Sequence, residues 1–436
     1  MTELKRGLGL VGATDVGVGA IIGAGIFVLS GVAAGLAGPS VILSFVLAGV
    51  TAFLTALSSA ELSSFITEAG GAFVYAERAF GPGWGFLIGW TSSFDYIVGS
   101  AAVAIGFASY FLLLVGWSGS LAVTVVAAAL PIGFLILNLR GVKEATGANN
   151  LLVILKVLAL LLFISVGATY LLRTGDYSNY RPFFPLGVSG TISAAAVIFF
   201  AFVGFNTITT LSEEVRDAQR NIPRAILLAF LISTLLYMGV SIVEVGLVDW
   251  QVISTSAAPL ETALRVATSN QFIIGFVSIS ALFATASVVM SSMLGGSRAL
   301  FAMGRKGVLS THLARVSGRG VPVTTVVIAG VAMAAVVIAS QGDLTTLAGV
   351  FNFGSLLTFL FINLSLLHLR RTMPEVKRSF TVPLYPLTPI LGILSCIGLM
   401  AFLNFRALAI AAVWITFGYL IYRRSRRSRE ARAKKS

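Results

Sequence analysis

Two weak points in otherwise apolar segments are the parts of this sequence that could bind a polar solute. In the first, VGVGAIIGAGIF, the residues Gly17, Gly19, Gly23 and Gly25 crowd one stretch. In the second, FFAFVGFNTITT at 199–210, a glycine, an asparagine and several threonines interrupt an aromatic run. Glycine is about 1 kcal/mol less favourable than alanine inside a helix, so both stretches predict broken helices. Close helix packing through small residues is the alternative explanation.

Broken helices expose backbone groups, and these groups have definite chemical partners. Freed N–H groups at a helix N-terminus bind a carboxylate, and freed carbonyl oxygens accept hydrogen bonds from an ammonium group or coordinate a cation. Within a membrane, such backbone is tolerated only where it lines a protein cavity. The two stretches therefore suit the headgroup of an α-amino acid, with its carboxylate toward Gly23–Gly25 and its amine toward Phe200–Val203.

A single lysine lies inside an apolar segment, in NNLLVILKVLALLLFI. Placing a lysine near the centre of a spanning helix costs about 2.5–3.5 kcal/mol on insertion scales. Lys156 could extend its side chain to the membrane surface. Because Gly19 is predicted at a similar depth, Lys156 could instead reach the carbonyls freed at the first break. Loss of its proton would then remove a link between two helices, which makes Lys156 a candidate for proton coupling.

Asp95, in GWTSSFDYIVGS, is a second charge inside an apolar segment. It could bind a proton, pair with a cationic substrate or accept hydrogen bonds from nearby Ser and Tyr side chains, and the residues leave these three roles open. One cysteine, Cys396, and two distant histidines, His312 and His368, predict no metal site. Since no nucleophile is paired with a base and no phosphate-binding loop is present, we predict neither an enzyme nor a bound cofactor.

The elements that must position these residues are membrane helices. The chain has 436 residues, of which 57% are hydrophobic and 11% charged, whereas an ordinary globular chain is about 25% charged. A spanning helix needs about 20 mostly apolar residues. The sequence predicts twelve such spans, at 13–37, 39–65, 84–115, 120–139, 148–172, 190–211, 224–247, 271–303, 322–340, 343–368, 386–404 and 407–423.

The positions of the basic residues predict the orientation of the spans. With the N-terminus inside the cell, most of the 30 lysines and arginines fall in cytoplasmic segments, as the positive-inside rule requires. These segments include the predicted cytoplasmic N-terminus 1–12, with Lys5 and Arg6, and the basic cytoplasmic tail 424–436. The net charge of +13 is therefore a topology signal and does not indicate nucleic-acid binding. We predict a multi-pass protein of the cytoplasmic membrane, surrounded by the lipid bilayer.

The two weak points lie in spans 1 and 6, five helices apart. An odd number of spans inverts a repeat, and interrupted segments at corresponding positions of two inverted halves indicate a transporter's substrate site. We therefore predict an all-α polytopic membrane protein with a five-plus-five inverted repeat and helices 1 and 6 broken at mid-membrane. The repeats would be 13–172, with spans 1–5, and 173–368, with spans 6–10, followed by 386–423 with spans 11 and 12.

Several longer motifs resemble the amino acid–polyamine–organocation superfamily, and within it the prokaryotic permeases similar to cationic amino acid transporters. The likeness covers spans 1 to 9, and its most specific part is the run from 199 to 226. The matching segments are GAIIGAGIF at 19–27, GGAFVYAERAFGPGWGFLIGW at 70–90, RPFFPLGVSG at 181–190, FFAFVGFNTITTLSEEVRDAQRNIPRAI at 199–226 and MGRKGVLSTHLARVSGRGVPV at 303–323.

The resemblance implies the inverted-repeat fold of sodium-coupled amino-acid symporters and a set of site residues. Lys156 matches the lysine that replaces a sodium site in proton-coupled relatives, with Gly19 and Ser287 as its partners. Many relatives have Ser or Thr where Ala24 stands, and those similar to cationic transporters often have Glu where Asp95 stands. The implied substrate-binding residues are Ile22, Gly23, Ala24, Gly25, Ile26, Phe200, Ala201, Phe202 and Val203.

These features together predict proton-coupled symport of amino acids by alternating access. The alternative is an exchanger of one amino acid for another, or for an amine, without net proton use. A non-transporting sensor or partner subunit is a third interpretation, although the sequence shows no large soluble domain and no obligate partner. The predicted partners are the amino acid, the proton and the lipid bilayer.

Overall fold

The described part of the chain is almost entirely helical. The computed structural model describes residues 8–68, 70–140, 145–210, 215–305, 307, 309–317 and 321–433. Within these ranges the only β-type pairing is an isolated bridge between Leu8 and Val215. Residues 1–7 of the predicted N-terminus, 211–214 of the most specific motif and 434–436 of the predicted tail lie outside the described residues.

Eleven helical segments of the described chain are long and apolar enough to cross a membrane. The predicted span 386–404 corresponds to helix Leu387–Met400, which has 14 residues and is not among them, so the count of twelve stays a prediction. The eleven segments are Leu10–Phe27, Leu29–Ser63, Pro82–Leu114, Ser120–Leu139, Leu152–Thr174, Gly187–Thr209, Ala218–Leu247, Gln271–Arg305, Val323–Ser340, Leu344–Thr372 and Phe405–Ser425.

We keep the predicted numbers for the first ten spans. The boundary between the first two falls on a turn of 3₁₀-helix, Gly38–Ser40, so span 1 covers 10–37 and span 2 is helix Val41–Ser63. Spans 3 to 10 are the following eight segments in chain order, and Phe405–Ser425 is the last span. Shorter elements connect them, namely the helices Ala72–Phe80, Trp250–Thr255 and Pro259–Ala267 and the 3₁₀ turns Ser178–Tyr180 and Thr311–Ala314.

Span 1 is interrupted where its glycines crowd together. Its first helix, Leu10–Ile21, ends at Ile22, which has an extended backbone. A four-residue helix, Ala24–Phe27, follows, and a third helix, Leu29–Ala37, completes the span. Span 1 therefore crosses as three short helices, because the bends at Ile22–Gly23 and at Val28 end the regular hydrogen bonding.

Span 6 is irregular in a different way. Helix Gly187–Ile198 tightens into a seven-residue 3₁₀-helix, Phe199–Phe205, before a short helix, Asn206–Thr210. The sequence led us to expect an unwound stretch here. A 3₁₀-helix keeps a hydrogen bond at every residue by shifting it from i+4 to i+3, and runs longer than three or four residues are uncommon.

The irregular parts of spans 1 and 6 lie against each other in the interior of the bundle. Span 1 also contacts spans 5 and 7, while span 2 packs against spans 6, 7 and 10. Span 3 runs between spans 8 and 10, with which it makes its most extensive contacts. The two interruptions are therefore surrounded by regular helices that can supply side chains to them.

Candidate functional site

Spans 1 and 6 approach each other so closely that only glycine fits at the contact. A methyl group on Gly25 would lie 2.5 Å from the Cα of Ala201. A methyl group on Gly204 would lie 2.3 Å from the carbonyl oxygen of Ala20. The contact is reciprocal, because each span contributes one glycine and one alanine. The glycines that weaken these helices also bring their backbones together.

Three consecutive N–H groups are free at the interruption of span 1. Among the described residues, the backbone N–H groups of Gly23, Ala24 and Gly25 donate no hydrogen bond. The next two N–H groups, of Ile26 and Phe27, both point back to the carbonyl of Gly23, at 3.3 and 3.4 Å. Buried N–H groups without a partner are rare in proteins, so this stretch is ready to bind an anionic group.

Carbonyl oxygens of span 1 are bound instead by side chains from three neighbouring spans. A lysine of span 5 and tyrosines of spans 7 and 3 each donate to one carbonyl. The pairs are Lys156 Nζ to Gly19 at 3.0 Å, Tyr237 Oη to Ile21 at 2.7 Å and Tyr110 Oη to Phe27 at 2.7 Å. All three donors are buried.

The carbonyl oxygens of span 6 also accept hydrogen bonds from side chains of neighbouring spans. Asn352 of span 10 donates from Nδ2 to the carbonyls of Ala196 and Val197, at 2.6 and 2.9 Å. Tyr237 reaches the carbonyl of Ala201 at 3.2 Å. Since the same hydroxyl also lies 2.7 Å from the Ile21 carbonyl, Tyr237 bridges the two interruptions.

The aromatic side chains of the 3₁₀ segment point in different directions. Phe200 packs against Phe351 of span 10, with ring centroids 4.3 Å apart. Phe202 packs against Tyr237 of span 7 and Phe45 of span 2, at 5.3 and 6.5 Å. Two of the predicted substrate-binding residues, Phe200 and Phe202, therefore pack against different neighbouring spans.

The structure brings Lys156 to Gly19, which the sequence paired, but not to Ser287. Lys156 is 1% exposed. The Ser287 hydroxyl donates to the carbonyl of Ala284 in its own helix, at 2.9 Å, and among the described residues it makes no hydrogen bond to Lys156. Within the same part of the chain, no carboxylate forms an ion pair with Lys156. An unpaired buried ammonium group is unfavourable, so the Gly19 carbonyl is its main compensation.

Asp95, in span 3, makes its contacts with span 10. Its carboxylate rests against the backbone of Gly354 in span 10, and Ser355 Oγ lies 3.5 Å from Oδ2. The other oxygen, Oδ1, is buried and has no hydrogen-bond partner in the part of the chain that the structure describes. A cavity of about 10 Å³ opens beside it, lined by Thr91, Phe94, Asp95, Val350, Phe353, Gly354, Ala411, Trp414 and Ile415. These residues belong to spans 3 and 10 and the last span, so the structure groups Asp95 with none of the other predicted site residues.

Sequence reasoning missed Tyr110, Tyr237 and Asn352. Each is a polar residue within a long apolar span, which is the pattern that drew attention to Lys156 and Asp95. A search extended from charged residues to buried hydroxyls and amides would have found them. It could not have assigned their partners, because these depend on how each helix is rotated in the bundle.

The described residues hold no group of three or more His, Cys, Asp or Glu side chains that could bind a metal ion. The chemistry available at the interruptions is therefore hydrogen bonding by backbone groups, hydroxyls, one amide and one amine. This set can bind and release a small polar molecule and can take up a proton.

Comparison with known proteins gives extensive matches. A family model described as amino acid permease matches residues 8–422. The methylthioribose transporter of Bacillus subtilis is 35% identical over 442 residues, covering 96% of this chain and 93% of that protein. The branched-chain amino acid permease of the same organism is 33% identical over 438 residues, with the same two coverages.

A plant relative is also similar. The vacuolar cationic amino acid transporter 2 of Arabidopsis thaliana is 35% identical over 392 residues, which cover 86% of this chain and 61% of that protein. The similarity thus extends across kingdoms, and the family model covers both interrupted spans.

Proposed function

This chain belongs to the amino acid permease family of the amino acid–polyamine–organocation superfamily, and on that premise we propose that it imports amino acids by proton-coupled symport across the cytoplasmic membrane. The family and the relatives are transporters, and the helices of the chain make it a multi-pass membrane protein. The proposal adds the substrate, the coupling ion and the direction.

The observation that carries the proposal is the run of free N–H groups at Gly23, Ala24 and Gly25. These groups are the donors that a substrate carboxylate needs, and they lie beside Ala201 of the 3₁₀ segment. The carbonyls of this segment supply acceptors for the α-amine. A bound amino acid would thus lie between spans 1 and 6, gripped by backbone from both. Ile22, Ile26, Phe200, Phe202 and Val203 complete the proposed binding segments.

Lys156 is the proposed proton-coupling residue, with Gly19 as its partner. When protonated, its ammonium group ties span 5 to the first helix of span 1 through the Gly19 carbonyl. When the proton leaves, the charge that strengthens this hydrogen bond is lost. The first helix of span 1 is then freer to move, which would open the site to the cytoplasm. Ser287, in span 8, contributes only if it turns from Ala284.

The proposed movement relies on the inverted repeats 13–172 and 173–368. Alternating access then consists of one set of helices rocking around the midplane site. The basic loops orient the protein with both termini in the cytoplasm, so the end of the bundle near the N-terminus would be the inner one.

The proposed substrates have a neutral side chain. Asp95, the acidic residue that could pair with a cationic substrate, contacts span 10 and lines a cavity with span 10 and the last span. The side chains at the 3₁₀ segment are mostly aromatic, and Phe200 packs there on Phe351 of span 10. The relative named a branched-chain amino acid permease fits this environment better than the relatives named for cationic amino acids.

The test is uptake of a panel of radiolabelled amino acids into sodium-free proteoliposomes, with and without an inward proton gradient. The panel includes leucine, valine, arginine and lysine, and methylthioribose as a substrate without the α-amino acid headgroup. Concentrative uptake of leucine or valine driven by the gradient is expected. Uptake that requires preloaded internal amino acid would indicate the exchanger. Uptake of methylthioribose alone would contradict the proposal that backbone groups of spans 1 and 6 bind a zwitterion.

A further inference from the structure

One polar side chain at the interruption of span 6 has an unfilled hydrogen-bonding position. Asn352 is completely buried, and its Nδ2 donates to the carbonyls of Ala196 and Val197. These carbonyls belong to the last turn of helix Gly187–Ile198, where the α-helix tightens into the 3₁₀ segment. The side-chain amide of Asn352 therefore supplies a donor at the junction where i+4 bonding changes to i+3 bonding.

The other end of the same amide has no partner. Oδ1 of Asn352 is buried and accepts no hydrogen bond among the described residues. Because the amide is planar, with bond lengths of about 1.23 and 1.33 Å to oxygen and nitrogen, Oδ1 lies within a few ångströms of the two carbonyls that Nδ2 binds. A buried amide oxygen without a donor is unfavourable by about 1–3 kcal/mol. This position therefore calls for a donor that arrives from outside the protein.

A second buried asparagine in the same span shows what a purely structural role looks like. Asn363 is also completely buried. Its Nδ2 donates to Thr55 and Phe359, and its Oδ1 accepts from Ser58 at 2.7 Å. Both ends of this amide are satisfied by the protein. The contrast with Asn352 lies in one atom, Oδ1.

The surroundings of Asn352 identify the missing donor. Its neighbour Phe351 packs on Phe200 of the 3₁₀ segment and against Gly99 of span 3. This turn of span 10 thus runs alongside the segment whose carbonyls are proposed to hold the substrate amine. An ammonium group carries three N–H donors, and the Asn352 amide adds an acceptor beside the carbonyls of span 6.

We propose that Asn352 is a substrate-binding residue whose Oδ1 accepts a hydrogen bond from the substrate's ammonium group. The inference rests on the proposed function, since it assumes an amino acid between spans 1 and 6. The same side chain keeps the helix-to-3₁₀ junction of span 6 in place through Nδ2. Span 10 thereby contacts the substrate directly, and the class of ligand it recognises is a primary amine cation.

The experiment compares two ligands on two proteins, so that a contact is separated from a positioning effect. Equilibrium binding of L-leucine and N-methyl-L-leucine is measured in detergent for the wild type and for Asn352→Leu. If the uptake panel identifies a different substrate, that amino acid and its N-methyl form replace the leucine pair. The methyl group removes one N–H donor and leaves the charge in place. Binding is used because it does not depend on proton coupling or on movement of the protein.

If Oδ1 contacts the amine, the wild type binds leucine more tightly than its N-methyl form. The ratio of the two dissociation constants then falls about tenfold in Asn352→Leu, because one hydrogen bond to a charged group contributes about this factor. If Asn352 only positions span 6, the substitution raises the dissociation constants of both ligands by the same factor. That equal loss would overturn the proposal. Asn363→Leu is the matched control, and its preference for leucine is expected to stay within twofold of the wild type.

Two further outcomes keep the test decisive. Should Asn352→Leu fail to fold, Asn352→Ala carries the same comparison, because the smaller side chain leaves room for water at the two carbonyls. If the wild type binds no amino acid of the panel, the proposed function fails, and the inference fails with it. If the wild type binds leucine but never discriminates against the N-methyl form, only the role of Asn352 is wrong.

Discussion

The interruptions of spans 1 and 6 satisfy their freed carbonyls with different chemistry. Span 1 uses an ionisable side chain, since Lys156 donates to Gly19. Span 6 uses a neutral one, because Asn352 donates to Ala196 and Val197. A proton can therefore change the first interruption and cannot change the second. On our proposal, coupling and recognition of the amine are divided between these two interruptions, with the proton acting on span 1 and the substrate amine on span 6.

Tyr237 joins the two interruptions, because one hydroxyl reaches the carbonyls of Ile21 and Ala201. The glycine contacts join them as well, through Gly25 and Gly204. A movement of span 1 can thus displace span 6 through atoms in direct contact. Substitutions of Tyr237 or of these glycines should affect both interruptions, whereas substitutions elsewhere should affect one or neither.

The largest effect is expected for Gly204→Ala. The added methyl group would lie 2.3 to 2.5 Å from backbone atoms of Ala20 and Ile21, and backbone cannot move aside as a side chain can. Overpacking of this kind lowers the free energy of unfolding by about 1–3 kcal/mol or more. We expect loss of uptake and a clearly lower melting temperature in detergent. Gly133→Ala in span 4 is the control, because nothing lies within 4 Å of its added methyl group. Equal melting temperatures for the two variants would contradict the close contact.

Tyr237→Phe should have the next largest effect. It removes one hydroxyl and leaves the carbonyls of Ile21 and Ala201 without that donor. A buried acceptor left unsatisfied costs about 1–3 kcal/mol, so the initial rate of uptake should fall about tenfold or more. Tyr110→Phe is the matched control, since its hydroxyl donates to the Phe27 carbonyl of span 1 and, among the described residues, to no carbonyl of span 6. If both variants lose the same uptake and the same stability, the bridge between the interruptions has no special role.

Asp95→Asn should have the smallest effect. The carboxylate contacts Gly354 and Ser355 and lines a cavity away from the interruptions. Removing an unpaired buried charge should leave the melting temperature unchanged or raise it. The KM for leucine should stay within about twofold of the wild type, because Asp95 lines a cavity that none of the proposed substrate-binding residues lines. A large rise in KM, for leucine or for a cationic amino acid, would show that Asp95 reaches the substrate.

Part of this arrangement was predictable from the sequence. The glycines of span 1 marked the interruption at Ile22–Gly23, and counting residues from the ends of two spans paired Lys156 with Gly19. Both inferences use distance along a helix, which is a local property of the sequence. The family assignment is likewise confirmed by the family model and the relatives.

Other parts could not be read from the sequence. Ser287 and Asp95 were placed in the correct spans, but the direction of each side chain depends on how the helix rotates against its neighbours. The 3₁₀ form of span 6 is stabilised by Asn352, which lies more than a hundred residues away in the chain. The partners of Tyr237 could not be assigned before two breaks from distant segments are brought together. Tertiary packing, and not local propensity, decides all of these features.

The most direct test of the account is proton-driven accumulation by Lys156→Ala in proteoliposomes, measured beside substrate exchange in the absence of a gradient. We predict that the variant folds, still exchanges leucine across the membrane, and no longer concentrates it when an inward proton gradient is applied. Asp95→Asn, measured in parallel, should keep accumulation. If Lys156→Ala still concentrates leucine against its gradient, the proton does not act at span 1, and the division of labour between the two interruptions is wrong.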